Sequence, residues 1–158
     1  MNDKSYMRLA IKKAKDGIQK GQTPFGACIV RIKDKKVISC AHNTVWKNTD
    51  ITAHAEVTAI RAACKKLKTI DLSSCIIYST CEPCPMCFSA CHWAKLKKII
   101  FGTKIQDAKK TGFSELSISN GEMKKLGRSP IKVTSDFLKE ENLELFKSWN
   151  EQKNKKTY

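Results

Sequence analysis

The chain has 158 residues, of which 41% are hydrophobic and 28% charged, and its formal net charge is +15. This length predicts one folded domain with a sizeable core. No apolar run approaches the roughly 18 residues that a spanning helix needs, so the composition excludes a membrane-spanning protein. The polar stretch from Met1 to Tyr6 does not resemble a signal peptide, which favours a cytoplasmic protein.

The positive charge invites a nucleic-acid interpretation. However, the lysines recur in short pairs along the whole chain, without interleaved aromatic residues. A lysine-rich surface explains this distribution at least as well as a nucleic-acid stripe does. Charge alone therefore identifies no partner.

The first part of the chain predicts a helix followed by a hairpin. Apolar residues at helical spacing predict a helix from Ser5 to Lys20, which Gly21 ends. A buried strand from Phe25 to Ile32, a turn at residues 33–35 and a strand from Lys36 to Ala41 form the hairpin. Residues 43–51 are predicted to be irregular.

The middle and the end of the chain predict alternating helices and strands. Thr52 is the expected N-cap of a helix from about His54 to Leu67. The later elements are a strand at Cys75–Ser79, a helix from about Cys84 to Ala94, a strand at Lys97–Phe101, a loop-rich stretch with a weak helix at Gly102–Gly121, a short helix at Glu122–Leu126, a strand at Ile131–Thr134 and a helix from about Asp136 to Lys153. Strand, helix and strand with short links predict a right-handed parallel crossover, so the sheet should be mixed.

Two short motifs supply the groups of a metal site. Pro83-Cys84-Pro85-Met86-Cys87 offers two thiolates one helical turn apart, and His54-Ala55-Glu56 offers an imidazole and a carboxylate. A His-x-Glu with a Pro-Cys-x-x-Cys is the known signature of zinc nucleobase deaminases. Pro85 suits the first turn of a helix, where thiols lose their protons most readily. We therefore expect two helix N-termini to meet at the metal.

Three protein ligands leave the fourth position of a tetrahedral zinc ion to water. His54, Cys84 and Cys87 are the predicted ligands, and zinc lowers the pKa of such a water to about 7. Glu56 is the predicted general acid and base, which moves the proton of the water to the substrate. The alternative is a closed structural zinc site. It would need a fourth ligand such as Cys81, Cys91 or His92, and it gives Glu56 no purpose.

These segments resemble the cytidine deaminase superfamily, and within it the small bacterial guanine deaminases. The matching segments are Pro24-Phe25-Gly26-Ala27, Asn43, Thr52 to Arg61, Cys81 to Cys87, Trp93-Ala94, Gly112-Phe113 and Lys155 to Tyr158. The resemblance implies an α/β fold, a three-layer α/β/α sandwich with a five-stranded mixed sheet. It also implies one zinc-dependent deaminase domain over residues 1–158 and a homodimer, in which the C-terminal segment of about 136–158 is exchanged between subunits.

The resemblance also implies a set of substrate contacts. Asn43 would hydrogen-bond a purine, His54 would flank the base, and Tyr158 would close the site from the partner subunit. The remaining contacts would come from Phe25, Ala55, Trp93 and Glu115. From the residues alone, other roles stay open: Asn43 as a turn residue, Phe25 and Trp93 as core residues, Glu115 as a loop residue and Tyr158 as a frayed terminus.

Glu115 bears most directly on the substrate. Its carboxylate can accept hydrogen bonds from the ring N–H and the 2-amino group of guanine, and adenine lacks this pattern. The resemblance therefore implies conversion of free guanine to xanthine and ammonia. Two alternatives are an adenosine-to-inosine deaminase acting on tRNA, which would use the positive charge, and a zinc-stabilised RNA-binding module without turnover.

Overall fold

A mixed five-stranded sheet lies at the centre of the protein, whose computed structural model describes residues 2–158. In chain order the strands are β1 (Gly26–Arg31), β2 (Lys36–His42), β3 (Cys75–Cys81), β4 (Lys98–Thr103) and β5 (Lys132–Thr134). They lie side by side in the order β2-β1-β3-β4-β5. β1 is antiparallel to β2 and β3, whereas β3, β4 and β5 are parallel. The predicted hairpin and parallel crossover are both confirmed.

Helices cover both faces of this sheet. They are α1 (Asp3–Gln19), α2 (Val45–Asn48), α3 (Ala55–Leu67), α4 (Pro85–Trp93), α5 (Ile105–Lys110), α6 (Asn120–Leu126) and α7 (Lys139–Asn150). On β2, Ser39 donates a hydrogen bond to the carbonyl of Ala59 in α3, whereas His42 faces Gly17 of α1. Side chains of a strand alternate between faces, so α1 and α3 lie on opposite sides. The predicted three-layer α/β/α arrangement is confirmed.

The central strands are apolar because helices cover them on both sides. All residues of β1 except Arg31 are buried, as are all residues of β3 except Ile76. Strands buried on both faces are expected to be near-continuous apolar runs. No helix among residues 2–158 combines the length and hydropathy that crossing a membrane requires.

Two predictions about local structure were wrong. Thr52 does not cap α3, because its hydroxyl donates to Asp50 and His54 occupies the N-cap position. The stretch 43–51 is not wholly irregular, since it contains α2. A helix of four residues is too short to produce a periodic apolar signal.

Other helix boundaries moved for reasons visible in the backbone. α6 begins at Asn120 because Ser119 and Glu122 form a capping box. α7 begins at Lys139 because Leu138 adopts the left-handed conformation, with φ 51°. α7 packs against β4 and α1 of its own chain. Exchange of the segment at about 136–158 between subunits stays a prediction.

Candidate active site and metal centre

The starts of α3 and α4 meet beside the sheet, as the two motifs predicted. His54 is the N-cap of α3 and Cys84 the N-cap of α4, and both have extended backbone angles. Pro85 follows as the first helical residue, and a residue before proline favours this extended form. Cys87 lies in the same first turn of α4. The chain therefore directs three donor side chains into one space.

The three donor atoms have spacings that suit zinc. His54 Nδ1 lies 3.7 Å from Cys84 Sγ and 3.5 Å from Cys87 Sγ. All three donor atoms lie within 4.8 Å of one another. Zinc bonds of about 2.3 Å to sulfur and 2.0–2.1 Å to nitrogen, at the tetrahedral angle, put a sulfur and a nitrogen about 3.6 Å apart. Both sulfur–nitrogen distances thus suit a shared zinc ion.

Two of the residues that could close the site as a structural zinc centre, His92 and Cys81, are engaged elsewhere. His92 Nδ1 lies 2.9 Å from Ser129 Oγ, and the Cys81 thiol donates to the carbonyl of Lys104. Among residues 2–158, the only cluster with metal-binding spacing that includes the Pro-Cys-x-x-Cys thiols is formed by His54, Cys84 and Cys87. Three protein ligands with one free position are typical of a catalytic zinc site.

The electrostatics of the cluster favour a bound cation. A hydrogen bond from the Cys87 thiol, together with the His54 ring, lowers the pKa of Cys84 to about 4. The pKa of Cys87 is raised, because it donates that hydrogen bond and is buried. Metal ligation requires deprotonated ligands, so Cys84 is ready at neutral pH and a dication would favour loss of the second proton.

Glu56 extends from the first turn of α3 into the same space. Its side chain is buried, with 5% exposure. Oε1 accepts a hydrogen bond of 2.8 Å from Ser79 Oγ, and Oε2 lies 3.5 Å from Cys87 Sγ. Burial raises the pKa of Glu56. Ser79 escaped the sequence analysis, because only the pairing of β3 inside the sheet brings it below α3.

A cavity of about 310 Å³ opens over the ligand cluster. Its lining comprises Ile51, His54, Cys84, Pro85, Met86, Ser114, Glu115, Leu116 and Tyr158. This volume is at the small end of the roughly 300–1,000 Å³ that ligand pockets occupy. The apolar members of the lining, Ile51, Met86 and Leu116, carry no sequence signal that separates them from other surface residues.

Tyr158 forms one wall of this cavity, and Asn43 lies buried against it, outside the lining. Asn43 is fully buried, and its Nδ2 donates a hydrogen bond of 2.7 Å to the Tyr158 hydroxyl. Asn43 Oδ1 accepts from the backbone N–H of Val45. The Tyr158 ring lies 5.4 Å from the His54 ring. In this chain the last residue is therefore docked beside His54 of its own ligand cluster.

Glu115 also lines the cavity. Its side chain is half-buried, and burial together with the charge on Cys84 raises its pKa to about 7. The neighbouring Ser114 N–H donates a hydrogen bond of 3.1 Å to the backbone carbonyl of Tyr158. Glu115 and Tyr158 are thus brought together by one short loop.

The structure does not bring every predicted residue to the cavity. Phe25 is packed in the core behind it, with its ring 4.9 Å from Phe113, which in turn contacts Tyr158. Ala55 is fully buried at the first position of α3. Trp93 is 81% exposed at the far end of α4, where it borders other cavities. Within one chain Trp93 therefore lies outside the cavity, because it is the last residue of α4, eight residues after Pro85.

Glu82 organises the loop that precedes the zinc-binding cysteines. This buried carboxylate accepts hydrogen bonds from the backbone N–H groups of Ile105 and Asn120, the first residues of α5 and α6. Asn120 Nδ2 donates to the carbonyl of Pro83. One side chain thereby caps two helices and ties both to the residue before Cys84.

The three-ligand donor set beneath an open cavity is typical of a catalytic zinc site. A family profile described as the cytidine and deoxycytidylate deaminase zinc-binding region matches residues 1–103. The chain belongs to this family.

Known relatives and structures agree with this assignment. The chain is 39% identical to a guanine deaminase from Bacillus subtilis over 100% of both chains. It is 43% identical to a tRNA-specific adenosine deaminase from Aquifex aeolicus, over 64% of this chain and 66% of that protein. Among solved structures, a guanine deaminase from Nitrosomonas europaea superimposes with a TM-score of 0.87 and 26% identity, covering 94% of this chain and 85% of that one.

Proposed function

We propose that this protein is a zinc-dependent guanine deaminase, which converts guanine and water to xanthine and ammonia. The observation that carries the proposal is the docking of Tyr158 over the His54 and cysteine cluster. This docking leaves a cavity of about 310 Å³, suited to a free base. The likeness to the B. subtilis guanine deaminase also extends over the whole chain, including the part that supplies Glu115 and Tyr158.

His54, Cys84 and Cys87 would hold the zinc ion, which when bound supplies Lewis-acid activation of a water molecule. Glu56 then moves protons. It accepts one from the attacking water and delivers it to the ring nitrogen beside C2, and it later protonates the departing amine. Water supplies the oxygen that replaces the 2-amino group, so atoms balance.

The purine would be held by groups on both sides of the cavity. Glu115, as a carboxylate, would accept hydrogen bonds from the ring N–H and the amino group of guanine. Asn43 is fully buried against Tyr158 and does not line the cavity, so its remaining N–H and lone pair would reach the base only when the Tyr158 side chain moves. Phe25 would support the Tyr158 wall of the cavity from the core, because Phe113 packs between the two rings. Ala55 and Trp93 complete the predicted contacts, and Trp93 would reach a base only in an assembly.

The experiment that tests the proposal uses purified protein and a panel of four substrates. Guanine, adenine, cytosine and a tRNA anticodon stem-loop are supplied separately, and ammonia and product are followed. We expect turnover of guanine alone. Turnover of the stem-loop without turnover of guanine would instead assign the protein to adenosine deamination in tRNA, which the net charge of +15 and the A. aeolicus relative favour.

We propose further that the protein works as a homodimer. The exposed Trp93 and the 79% exposed Leu126 lie on the contacting helices α4 and α6. Large exposed apolar patches commonly mark protein contacts. Light scattering after gel filtration should give a molar mass twice that of the 17.8 kDa chain. The Trp93→Lys variant should give a smaller molar mass. A wild-type monomer at micromolar concentration would refute the dimer.

A cytoplasmic location is the last part of the proposal. All eight cysteines are free thiols. Free thiols persist in a reducing compartment. Fractionation of cells that produce the protein should recover it with cytoplasmic markers; recovery with exported proteins would argue against it.

A further inference from the structure

The last three residues are attached to the rest of the chain at two places. One is the cavity itself, where Asn43 and Ser114 bind Tyr158. The other lies outside the cavity, on the short helix α2. There the Trp46 indole N–H donates a hydrogen bond of 3.2 Å to the backbone carbonyl of Lys156.

Trp46 makes a second contact with the same residue. The Lys156 ammonium lies 5.4 Å from the centre of the Trp46 ring, within the range of a cation–π interaction. Trp46 is 41% exposed, and Lys156 is exposed as well. Both the hydrogen bond and the cation–π contact of the Trp46 side chain are therefore made with the tail.

The short helix α2 links this contact to the substrate wall. The N–H of Val45, which begins α2, donates to Asn43 Oδ1, and Asn43 Nδ2 donates to the Tyr158 hydroxyl. Trp46 is the next residue in α2 and binds the tail two residues before Tyr158. The chain therefore closes a ring of contacts that runs from Asn43 through α2 to the tail and back.

We propose that Trp46 is a positioning residue of the purine site, which clamps Lys156 and thereby holds Tyr158 over His54 and against Asn43. The inference rests on the proposed function for its effect on catalysis, but not for the clamp itself. The clamp favours the closed tail before and during reaction alike. Loss of such uniform stabilisation raises KM, whereas kcat is kept, or rises if release of product past the closed tail is slow.

Two measurements test the clamp. The first is the rate at which carboxypeptidase A releases Tyr158 from the folded protein, which follows the population of open tails when opening is fast. The second is the pair kcat and KM for guanine. Trp46→Ala removes both contacts, Trp46→Phe removes the N–H, and Lys156→Met removes the charge while keeping the backbone carbonyl.

The expected effects follow from the strength of each contact. Trp46→Ala should speed the release of Tyr158, and raise KM, by about 5- to 70-fold. Trp46→Phe and Lys156→Met should each give a smaller rise, of about 2- to 12-fold and 2- to 5-fold respectively. Lys153→Met, on the same tail, and Ile70→Ala, at another exposed apolar residue, are matched controls that should behave as wild type.

The outcomes separate the clamp from the proposed function. Release of Tyr158 at the wild-type rate in Trp46→Ala would overturn the clamp, as would a lowered kcat with unchanged KM. If the wild-type protein deaminates no purine, the proposed function fails, and the release assay still decides whether Trp46 holds the tail. The two milder variants keep the test valid if Trp46→Ala does not fold.

Discussion

Glu56 is the residue whose chemistry can be tested most directly. Its carboxylate is buried between Ser79 and Cys87, and a glutamine would retain its shape there. We expect Glu56→Gln to keep zinc and fold but to lower the rate of ammonia release by about 10²- to 10⁴-fold or more, because the amide cannot transfer protons. Metal content, circular dichroism and ammonia release measure the three properties. Glu151→Gln, at an exposed residue, is the control, and full activity of Glu56→Gln would refute the mechanism.

Glu115 is the residue on which the choice of guanine depends. A carboxylate that accepts hydrogen bonds from guanine stabilises the bound base more than a neutral amide does, because the amide presents an N–H group to another donor. We expect Glu115→Gln to lower kcat/KM for guanine by about 10- to 160-fold. Steady-state kinetics with guanine provides the measurement. An unchanged kcat/KM would return Glu115 to the role of a loop residue.

At the level of elements, the first turn of a helix contributes more residues to the site than the rest of that helix does. Glu82 accepts hydrogen bonds from the first N–H groups of α5 and α6, and it is only 7% exposed. In Glu82→Gln one acceptor becomes a donor that faces a backbone N–H. We expect a loss of about 1–3 kcal/mol in the free energy of unfolding, measured by urea denaturation. Glu151→Gln should lose almost nothing, and an equally small loss for Glu82→Gln would mean that water satisfies these donors.

For the whole molecule, a zinc ion held by His54, Cys84 and Cys87 would join α3 to α4 and should stabilise the fold. A ligand that binds only the folded state adds about 4 kcal/mol when its free concentration is a thousand times its Kd. We therefore expect a chelator to lower Tm and to abolish activity, and added zinc to restore both. Added magnesium serves as the control, since two thiolates and an imidazole do not suit it. A Tm that is indifferent to the chelator would argue against zinc at this site.

The charge of the whole molecule gives an independent test of the substrate. An enzyme that binds a neutral free base should keep its KM between 50 and 200 mM salt, whereas binding through six to ten phosphates would weaken by about 10³- to 10⁵-fold. We expect a KM for guanine that changes less than about twofold over this range. A steep rise in KM would show that the lysine-rich surface takes part in substrate binding.

The sequence alone determined the chemistry and most of the elements. Side chains only two or three residues apart, such as His54 with Glu56 and Cys84 with Cys87, lie on the same turn whatever the rest of the fold does. The apolar periods of α1, α3 and the inner strands are likewise local, and they were predicted within a few residues. The wrong predictions concern α2, which is a single helical turn, and the N-cap of α3, which depends on one residue. Such short features give no periodic signal in the sequence.

Only the tertiary structure decided on which surface the predicted zinc ligands lie and which distant residues lie close to them. Ser79 meets Glu56, and Trp46 meets Lys156, because the sheet and α7 bring together segments that are 23 and 110 residues apart. The same packing carries Trp93 away from the cavity and Tyr158 into it. Such contacts depend on the relative placement of whole elements, for which the spacing of residues along the chain contains no signal.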